Sequence, residues 1–156
     1  MIELRLMTES GFEKYRAESL LSYADNKKKA ENLTDTQAKQ VAEDSFNTLL
    51  PIGIETPDHF LFDVVEQGSG DVVGTLWFAK KSDKAQAYAW VYDIVLKESA
   101  RGKGYGQKTM ELLEVEAQKR GLSAISLHVF GFNEVAQNLY RKLGFKPTNI
   151  VMAKDL

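Results

Sequence analysis

The chain of 156 residues contains no cysteine, and this absence excludes several kinds of chemistry. Disulfide bonds, a cysteine-ligated zinc site and a covalent cysteine intermediate are all ruled out. A chain without cysteine also suits a reducing compartment.

The chain also lacks an excess of basic residues and a long apolar run. Its 20 Lys and Arg residues and 22 Asp and Glu residues give a net charge of -2, which argues against nucleic-acid binding and a polybasic membrane anchor. The longest uncharged run, Gly121 to Asn133, is too short and too polar for a transmembrane helix. The opening stretch MIELRLMTES lacks the basic and apolar regions of a signal peptide. We therefore expect a cytoplasmic protein that binds neither nucleic acid nor membranes.

What the chain does contain is an ordered series of helix and strand patterns. Thr8, Thr34 and Asn133 are predicted helix N-caps, and residues 80–84 are predicted to form a charged loop. The order β-α-α-β-β-β-α-β-α-β predicts one mixed α/β domain over residues 1–156, without a linker or repeat. Strands are predicted at 2–6, 59–66, 72–79, 87–96, 123–130 and 149–154, and helices at 8–30, 34–50, 105–120 and from 133 to about 143.

A glycine-rich hexapeptide, RGKGYG at residues 101–106, lies between the fourth predicted strand and the third helix. Its glycines let several backbone N–H groups point toward one site, and the helix N-terminus adds its positive dipole end. This position favours a phosphate site over the alternative, a turn with solvated cations. The spacing excludes a P-loop, a dinucleotide GxGxxG turn and a kinase glycine loop.

The hexapeptide matches the R/Q-x-x-G-x-G/A signature of the GCN5-related N-acetyltransferase (GNAT) superfamily. The segment NEVAQNLYRKLGF, residues 133–145, resembles the N-x-x-A-x-x-L-Y-x-x-x-G-F segment of the same superfamily. The stretches ETPDHFLF, YDIVLKESARGKGYG, SLHVFGFNEVAQNLY and TNIVMAKDL resemble a bacillus-type branch of bacterial acetyltransferases. The resemblance implies an α/β fold with a mixed, mostly antiparallel twisted sheet flanked by helices.

The resemblance also implies acetyl-coenzyme A as the acyl donor and no metal. The amides of the hexapeptide are expected to hold the pyrophosphate, and the end of the fourth strand is expected to pair with the pantetheine arm. The fourth strand, near Leu96, and the parallel strand beside it, near Phe130, are expected to splay apart and admit the pantetheine arm between them. Asn133 has two compatible roles, as a helix cap and as a ligand of pantetheine. The implied cofactor-binding residues are Ile94, Val95, Leu96, Arg101, Gly102, Lys103, Gly104, Tyr105, Gly106 and Asn133.

Two residues are implied to be catalytic. The family's tyrosine at the position of Tyr140 donates a proton to the departing thiolate, whereas the alternative is a tyrosine that only fills space. Asp93, in the fourth strand, is the best-placed general base; many relatives carry Glu near this strand, offset by one residue. Glu98, His59 and a water relay remain alternatives for the base, and a backbone N–H near Leu96 is expected to stabilise the oxyanion.

The acceptor is expected to be a primary amine of a small molecule or a peptide, acetylated directly without a covalent enzyme intermediate. Acidic and aromatic residues on the first two helices suit a cationic amine such as a polyamine, an aminoglycoside or a peptide lysine. The competing interpretation is a non-catalytic acyl-coenzyme A-binding sensor or interaction module, and a homodimer is left open. The helix residues in question are Tyr15, Glu18, Tyr23, Asp25, Asp35, Glu43, Asp44 and Phe46.

Overall fold

Four strands of the chain pair in sequence order, each antiparallel to the next, and a short fifth strand completes a sheet whose strands lie in chain order. A computed structural model describes all 156 residues and divides them into two units, Met1–Ser126 and Leu127–Leu156. The strands are β1 Ile2–Leu6, β2 His59–Glu66, β3 Val72–Ser82, β4 Ala87–Leu96 and β5 Ala124–Leu127, and the helices are α1 Glu9–Glu31, α2 Asp35–Leu49, α3 Tyr105–Lys119 and α4 Glu134–Lys142. The predicted mixed, mostly antiparallel sheet is confirmed.

The helix starts follow the local capping signals of the sequence. The Thr8 hydroxyl accepts a hydrogen bond from the N–H of Gly11 at 3.1 Å. Thr34 and Gln37 exchange hydrogen bonds of 3.0 and 3.2 Å between side chain and backbone, which is a complete capping box. Asn32 ends α1 in the left-handed conformation, with φ at 53°. These caps confirm the predicted starts of α1 and α2.

The unit Met1–Ser126 buries apolar residues on both faces of the sheet. On one face, α1 and α2 pack Phe12, Tyr15 and Phe46 against Leu61 of β2 and Trp77 of β3. The other face carries a second cluster of Ile2, Val64, Val73 and Ala100, against which Tyr105 and Leu112 of α3 pack. Alternation along β2 separates Leu61 from Val64, because successive side chains of a strand point to opposite faces. In β3, Val73 and Trp77 are four residues apart but belong to different clusters, because Val73 is an extra residue in the pairing of β2 with β3.

The third strand is longer than predicted. Residues 80–82, predicted as part of a charged loop, continue β3, and Lys81 and Ser82 pair with Tyr88 and Ala87 of β4. The backbone of Lys80 and Lys81 takes part in the sheet while their side chains stay exposed. The charged residues of this segment therefore indicate side chains exposed to solvent, and not a backbone that leaves the sheet.

The unit Leu127–Leu156 contains less regular structure than predicted. The fifth strand ends at Leu127 and not at Phe130, because the chain turns there and Gln137 donates hydrogen bonds to the carbonyls of Phe130 and Gly131. The predicted strand at 149–154 is wrong: residues 146–156 form no helix or strand and are exposed. A strand needs a hydrogen-bonded neighbour, which the apolar pattern of a segment does not supply. No helix in the chain is both long enough and apolar enough to cross a membrane.

Candidate functional site

The glycine-rich hexapeptide forms the turn that leads from β4 into α3. Gly102 and Gly104 have φ angles of 77° and 78°, in the left-handed region that favours glycine. A Cβ atom added at either residue meets no atom within 4 Å. The backbone on this side of the turn is therefore open, and a ligand can approach the amides closely.

The N-terminus of α3 differs from the other helix starts in having no side-chain cap. The side chains of Thr8, Thr34 and Asn133 cap α1, α2 and α4, whereas α3 begins at Gly104 with no side-chain hydrogen bond. The N–H groups of its first turn have no partner within the helix and carry the positive end of the helix dipole. An open cradle of backbone donors fits an anion such as the pyrophosphate of coenzyme A.

Three side-chain contacts tie this turn to the sheet. The Tyr105 hydroxyl donates a 2.7 Å hydrogen bond to Glu66 of β2, and this bond raises the pKa of the phenol. The Nε of Arg101 donates to the carbonyl of Leu96 at 3.3 Å. The Nζ of Lys103 lies 5.8 Å from the centre of the Tyr105 ring. The contact between Tyr105 and Glu66 joins residues 39 positions apart, and no sequence signal pointed to Glu66.

The end of β4 lies unusually close to β3. Ile94 and Leu96 are half-buried and Val95 is exposed. Gly74 of β3 pairs with Leu96, and a Cβ atom at Gly74 would lie 2.4 Å from the carbonyl oxygen of Val95. The N–H of Lys97 donates to Val73 at 2.8 Å, so this amide is already engaged. Sequence reasoning missed Gly74, although a glycine inside a strand pattern is itself a signal of close backbone approach.

Asp93 lies at an irregularity in the pairing of β3 and β4. Trp77 pairs with Asp93, but the next residue, Phe78, pairs with Val91, so Tyr92 is an extra residue in β4. The Asp93 carboxylate accepts a 2.7 Å hydrogen bond from the Tyr15 hydroxyl of α1. Burial raises the pKa of Asp93 above its usual range, although the Tyr15 hydroxyl and the Ile94 N–H, which stabilise the carboxylate, act in the opposite direction. A half-buried carboxylate with a raised pKa is chemically suited to accept a proton.

The other predicted bases are less suited to that role. The Nδ1 of His59 accepts a 3.0 Å hydrogen bond from the indole N–H of Trp77. Because an indole N–H only donates, neutral His59 carries its proton on Nε2 and has no free lone pair for a second proton. Glu98 is exposed in a short 3₁₀ turn after β4. No group of three or more His, Asp or Glu side chains is arranged to hold a metal ion.

Of the acidic residues predicted to suit an acceptor on the first two helices, Asp25 and Asp35 form ion pairs, whereas Glu18, Glu43 and Asp44 form none. Asp25 pairs with Lys29 at 3.0 Å, and Asp35 pairs with Lys28 at 2.6 Å. Tyr15 and Phe46 are buried in the core beside Trp77. On the sheet, the Asp93 carboxylate lies beside this aromatic core, because it accepts the hydrogen bond of Tyr15.

Asn133 and Tyr140 belong to the unit Leu127–Leu156. The side-chain oxygen of Asn133 accepts a 3.2 Å hydrogen bond from the N–H of Ala136, which confirms its predicted capping role. Tyr140 is half-buried, its ring centre lies 5.6 Å from that of Phe145, and burial raises the pKa of its phenol. Arg141 and Lys142 are exposed.

Comparison with known proteins places this geometry in a family. The family model described as "Acetyltransferase (GNAT) family" matches residues 23–145. The chain belongs to the GNAT acetyltransferase family. The predicted superfamily is thereby confirmed, and GNAT membership supports acyl transfer as the chemistry of the chain.

Two GNAT relatives match over almost the whole chain. YycN, an uncharacterized N-acetyltransferase of Bacillus subtilis (strain 168), is 36% identical over 155 residues, which cover 99% of each chain. YdgE, an uncharacterized N-acetyltransferase of the same strain, is 32% identical over 150 residues, covering 96% of this chain and 95% of YdgE. The crystal structure of YycN superposes with a TM-score of 0.88 at 35% identity, covering 100% of this chain and 99% of that one. The predicted relation to bacillus-type GNAT acetyltransferases is confirmed.

Proposed function

We propose that residues 1–156 act as a single N-acetyltransferase domain, which transfers the acetyl group of acetyl-coenzyme A directly to a primary amine of a small molecule or peptide. The observation that carries the proposal is the uncapped, glycine-rich N-terminus of α3. The whole-length similarity to two N-acetyltransferases supports a role for both units of the chain. The absence of cysteine is consistent with direct transfer, because it removes the most reactive side-chain nucleophile.

The donor is held mainly by backbone. The amides between Gly102 and Gly106 bind the pyrophosphate, and Arg101 and Lys103 add positive charge beside it. The backbone of β4 from Ile94 to Leu96 pairs with the pantetheine arm, and Asn133 offers its side-chain amide N–H groups, since its oxygen is used by the cap. Bound acetyl-coenzyme A supplies a thioester, whose carbon–sulfur bond breaks as the amine nitrogen bonds to the acyl carbon.

Two side chains move the protons of this reaction. Asp93 accepts a proton from the acceptor ammonium, and its burial-raised pKa brings the carboxylate closer to the working pH of a general base. Tyr140 gives a proton to the departing sulfur. The raised pKa of its phenol keeps it protonated at neutral pH, so the proton is available when sulfur leaves.

The proposal is tested by following free thiol release from acetyl-coenzyme A with a panel of primary amines. We expect turnover by the wild type, and a decrease in kcat of about a hundredfold in Tyr140→Phe and in Asp93→Asn, the scale of one lost acid or base. Ser22→Ala is the control, because it removes a hydroxyl from an exposed residue of α1, beyond the core residues Phe12 and Tyr15.

Calorimetric titration with acetyl-coenzyme A separates binding from catalysis. Binding without turnover by any amine would favour the non-catalytic sensor module instead. A protein that does not bind acetyl-coenzyme A at all would contradict the proposed function and the sensor module together.

A further inference from the structure

A cluster of aromatic side chains lies on the same face of the sheet as Asp93. We call it the aromatic wall and define it as His59, Trp77, Trp90 and Tyr92. The Tyr92 ring stacks on Trp77 with ring centres 4.7 Å apart and on His59 with centres 5.6 Å apart. Trp77 is buried, whereas the other three are half-buried and so present part of their surface to solvent.

His59 gives the wall a hydrogen-bond donor whose position on the ring is fixed. His59 accepts the indole N–H of Trp77 with Nδ1, so its Nε2 carries the remaining proton. Burial and the charge of Lys81 lower the pKa of His59, while Asp58 acts more weakly in the opposite direction. His59 is thus a neutral donor, and it needs an oxygen acceptor rather than an ammonium as its partner.

The wall also carries one cation. The Nζ of Lys81 lies 5.3 Å from the centre of the Tyr92 ring and 5.5 Å from that of Trp90. Lys81 has no carboxylate within ion-pairing distance in the chain. Because this ammonium already covers two ring faces, a second cation from a polyamine would meet like-charge repulsion there.

We propose that the aromatic wall binds an anionic group of the acceptor, through Lys81 and the Nε2–H of His59. The acceptor class is therefore an amine that also carries a carboxylate or phosphate, and not a polyamine. This inference rests on the proposed function, because it names the acceptor that Asp93 deprotonates.

The spacing of the two charged sites sets the shape of the acceptor. Asp93 pairs with Trp77, and Lys81 lies four residues after Trp77 in β3. At about 3.3 Å per residue, the Cα atoms of Trp77 and Lys81 are about 13 Å apart. Lys81 leans back over Tyr92, which shortens the distance between its ammonium and Asp93. An extended ω-amino acid spans such a gap, whereas the amine and carboxylate of glycine are too close together.

Tryptophan fluorescence tests the proposal without depending on activity. The chain has two tryptophans, Trp77 and Trp90, and both belong to the wall. We would titrate the protein, saturated with coenzyme A, with ε-aminocaproate, aminohexyl phosphate, hexylamine, hexamethylenediamine and glycine. The two anionic six-carbon amines should change the emission at lower concentration than hexylamine does, and the diamine and glycine should bind worst. A stronger response to aminohexyl phosphate than to ε-aminocaproate assigns the site to phosphates, and the reverse order assigns it to carboxylates.

Lys81→Gln and Lys80→Gln form a matched pair, because the two lysines are adjacent in β3 and point to opposite faces. Lys81→Gln should weaken binding of the anionic amines about fivefold, the contribution of a partly exposed ion pair, and leave hexylamine unchanged. Lys80→Gln should change neither the binding of the anionic amines nor that of hexylamine. Equal binding of ε-aminocaproate and hexylamine by the wild type, or equal effects of the two substitutions, would overturn the proposal.

The same ligands in the thiol-release assay separate this inference from the proposed function. Turnover of hexylamine without any preference for ε-aminocaproate would contradict the anion site and leave the acetyltransferase proposal standing. Binding of ε-aminocaproate at the wall, with no turnover of this or any other amine, would support the anion site and contradict the acetyltransferase proposal.

Discussion

The hydroxyl of Tyr15 on α1 donates a 2.7 Å hydrogen bond to the carboxylate of Asp93 on β4. The bond joins residues 78 positions apart, and both lie at the interface between the first helix and the sheet. It stabilises the ionised carboxylate, and it opposes the burial that raises the pKa of Asp93. Tyr15 therefore influences the pH at which Asp93 can act as a base.

Replacing Tyr15 with phenylalanine should move the acidic limb of the kcat/KM profile to higher pH. Without this hydrogen bond, the effect of burial on the carboxylate is less opposed, so the pKa of Asp93 rises. The profile is measured with one acceptor amine for both proteins, so that the ionisation of the amine cancels in the comparison. Ser22→Ala, which removes an exposed hydroxyl, is the control on the same helix. Identical limbs in wild type and Tyr15→Phe would show that Asp93 is not the titrating base.

Replacing Asp93 with asparagine should raise stability at neutral pH while it lowers kcat. The pKa of Asp93 is raised in the folded state, so between its unfolded pKa of about 3.9 and its folded pKa the folded protein binds more protons. Wild-type stability contributed by this group therefore falls as pH rises through that window. Asparagine carries no charge, so Asp93→Asn should melt about 2–4 °C higher than wild type at pH 7.

Thermal melts from pH 3 to pH 8 check this sign. The gain should shrink as pH falls and vanish near the unfolded pKa of about 3.9, where Asp93 is protonated in both states. Ser22→Ala, at an exposed residue of α1, is the control: it removes no titratable group, so its effect on the melting temperature should not depend on pH. An Asp93→Asn protein less stable than wild type at pH 7 would contradict the assignment of a burial-raised pKa.

Much of the fold was predictable because its signals are local. The caps at Thr8, Thr34 and Asn133 depend on a side chain and an N–H two or three residues away, and all three form as predicted. The bounds of β2 and β4 also match, because their apolar runs end at turn-forming or charged residues. The glycine-rich turn between β4 and α3 was predictable for the same reason, since its glycines and the following helix are consecutive in the chain.

The remaining features depend on partners far away in sequence. Two hydrogen bonds link separate elements, one between Tyr15 and Asp93 and one between Tyr105 and Glu66. Neither bond can be recognised from the local sequence around its two residues. The strand predicted at 149–154 failed for a related reason, because an apolar alternation does not reveal whether a neighbouring strand is available. Lys81 was assigned to a loop by its charge, although its backbone pairs with Tyr88.

Replacing Gly74 with alanine should disturb the end of β4 where the donor is proposed to bind. The new Cβ atom would lie 2.4 Å from the carbonyl oxygen of Val95 and 2.8 Å from a methyl carbon of Leu96, so the backbone of β4 must shift. We expect a loss of about 1–3 kcal/mol in the free energy of unfolding, as for other overpacked sites, and weaker binding of acetyl-coenzyme A.

Urea unfolding and calorimetric titration measure these two effects separately. Gly68→Ala is the control, because a Cβ atom there meets nothing within 4 Å and the residue lies in the turn between β2 and β3. Unchanged affinity in a destabilised Gly74→Ala protein would mean that the donor does not depend on the end of β4.

Replacing Gly104 with alanine should weaken acetyl-coenzyme A binding far more than replacing Gly121, although the two glycines are conformationally alike. Their φ angles are 78° and 73°, and a Cβ atom at either meets nothing within 4 Å. Each alanine should therefore cost about 1–2 kcal/mol of stability from left-handed strain. Gly104 precedes the first turn of α3, where its Cβ would enter the space proposed for the pyrophosphate, whereas Gly121 follows the last turn. Calorimetric titration should show the affinity loss only in Gly104→Ala; equal losses would mean that strain and not the anion cradle controls binding, and would remove the main support for the donor site.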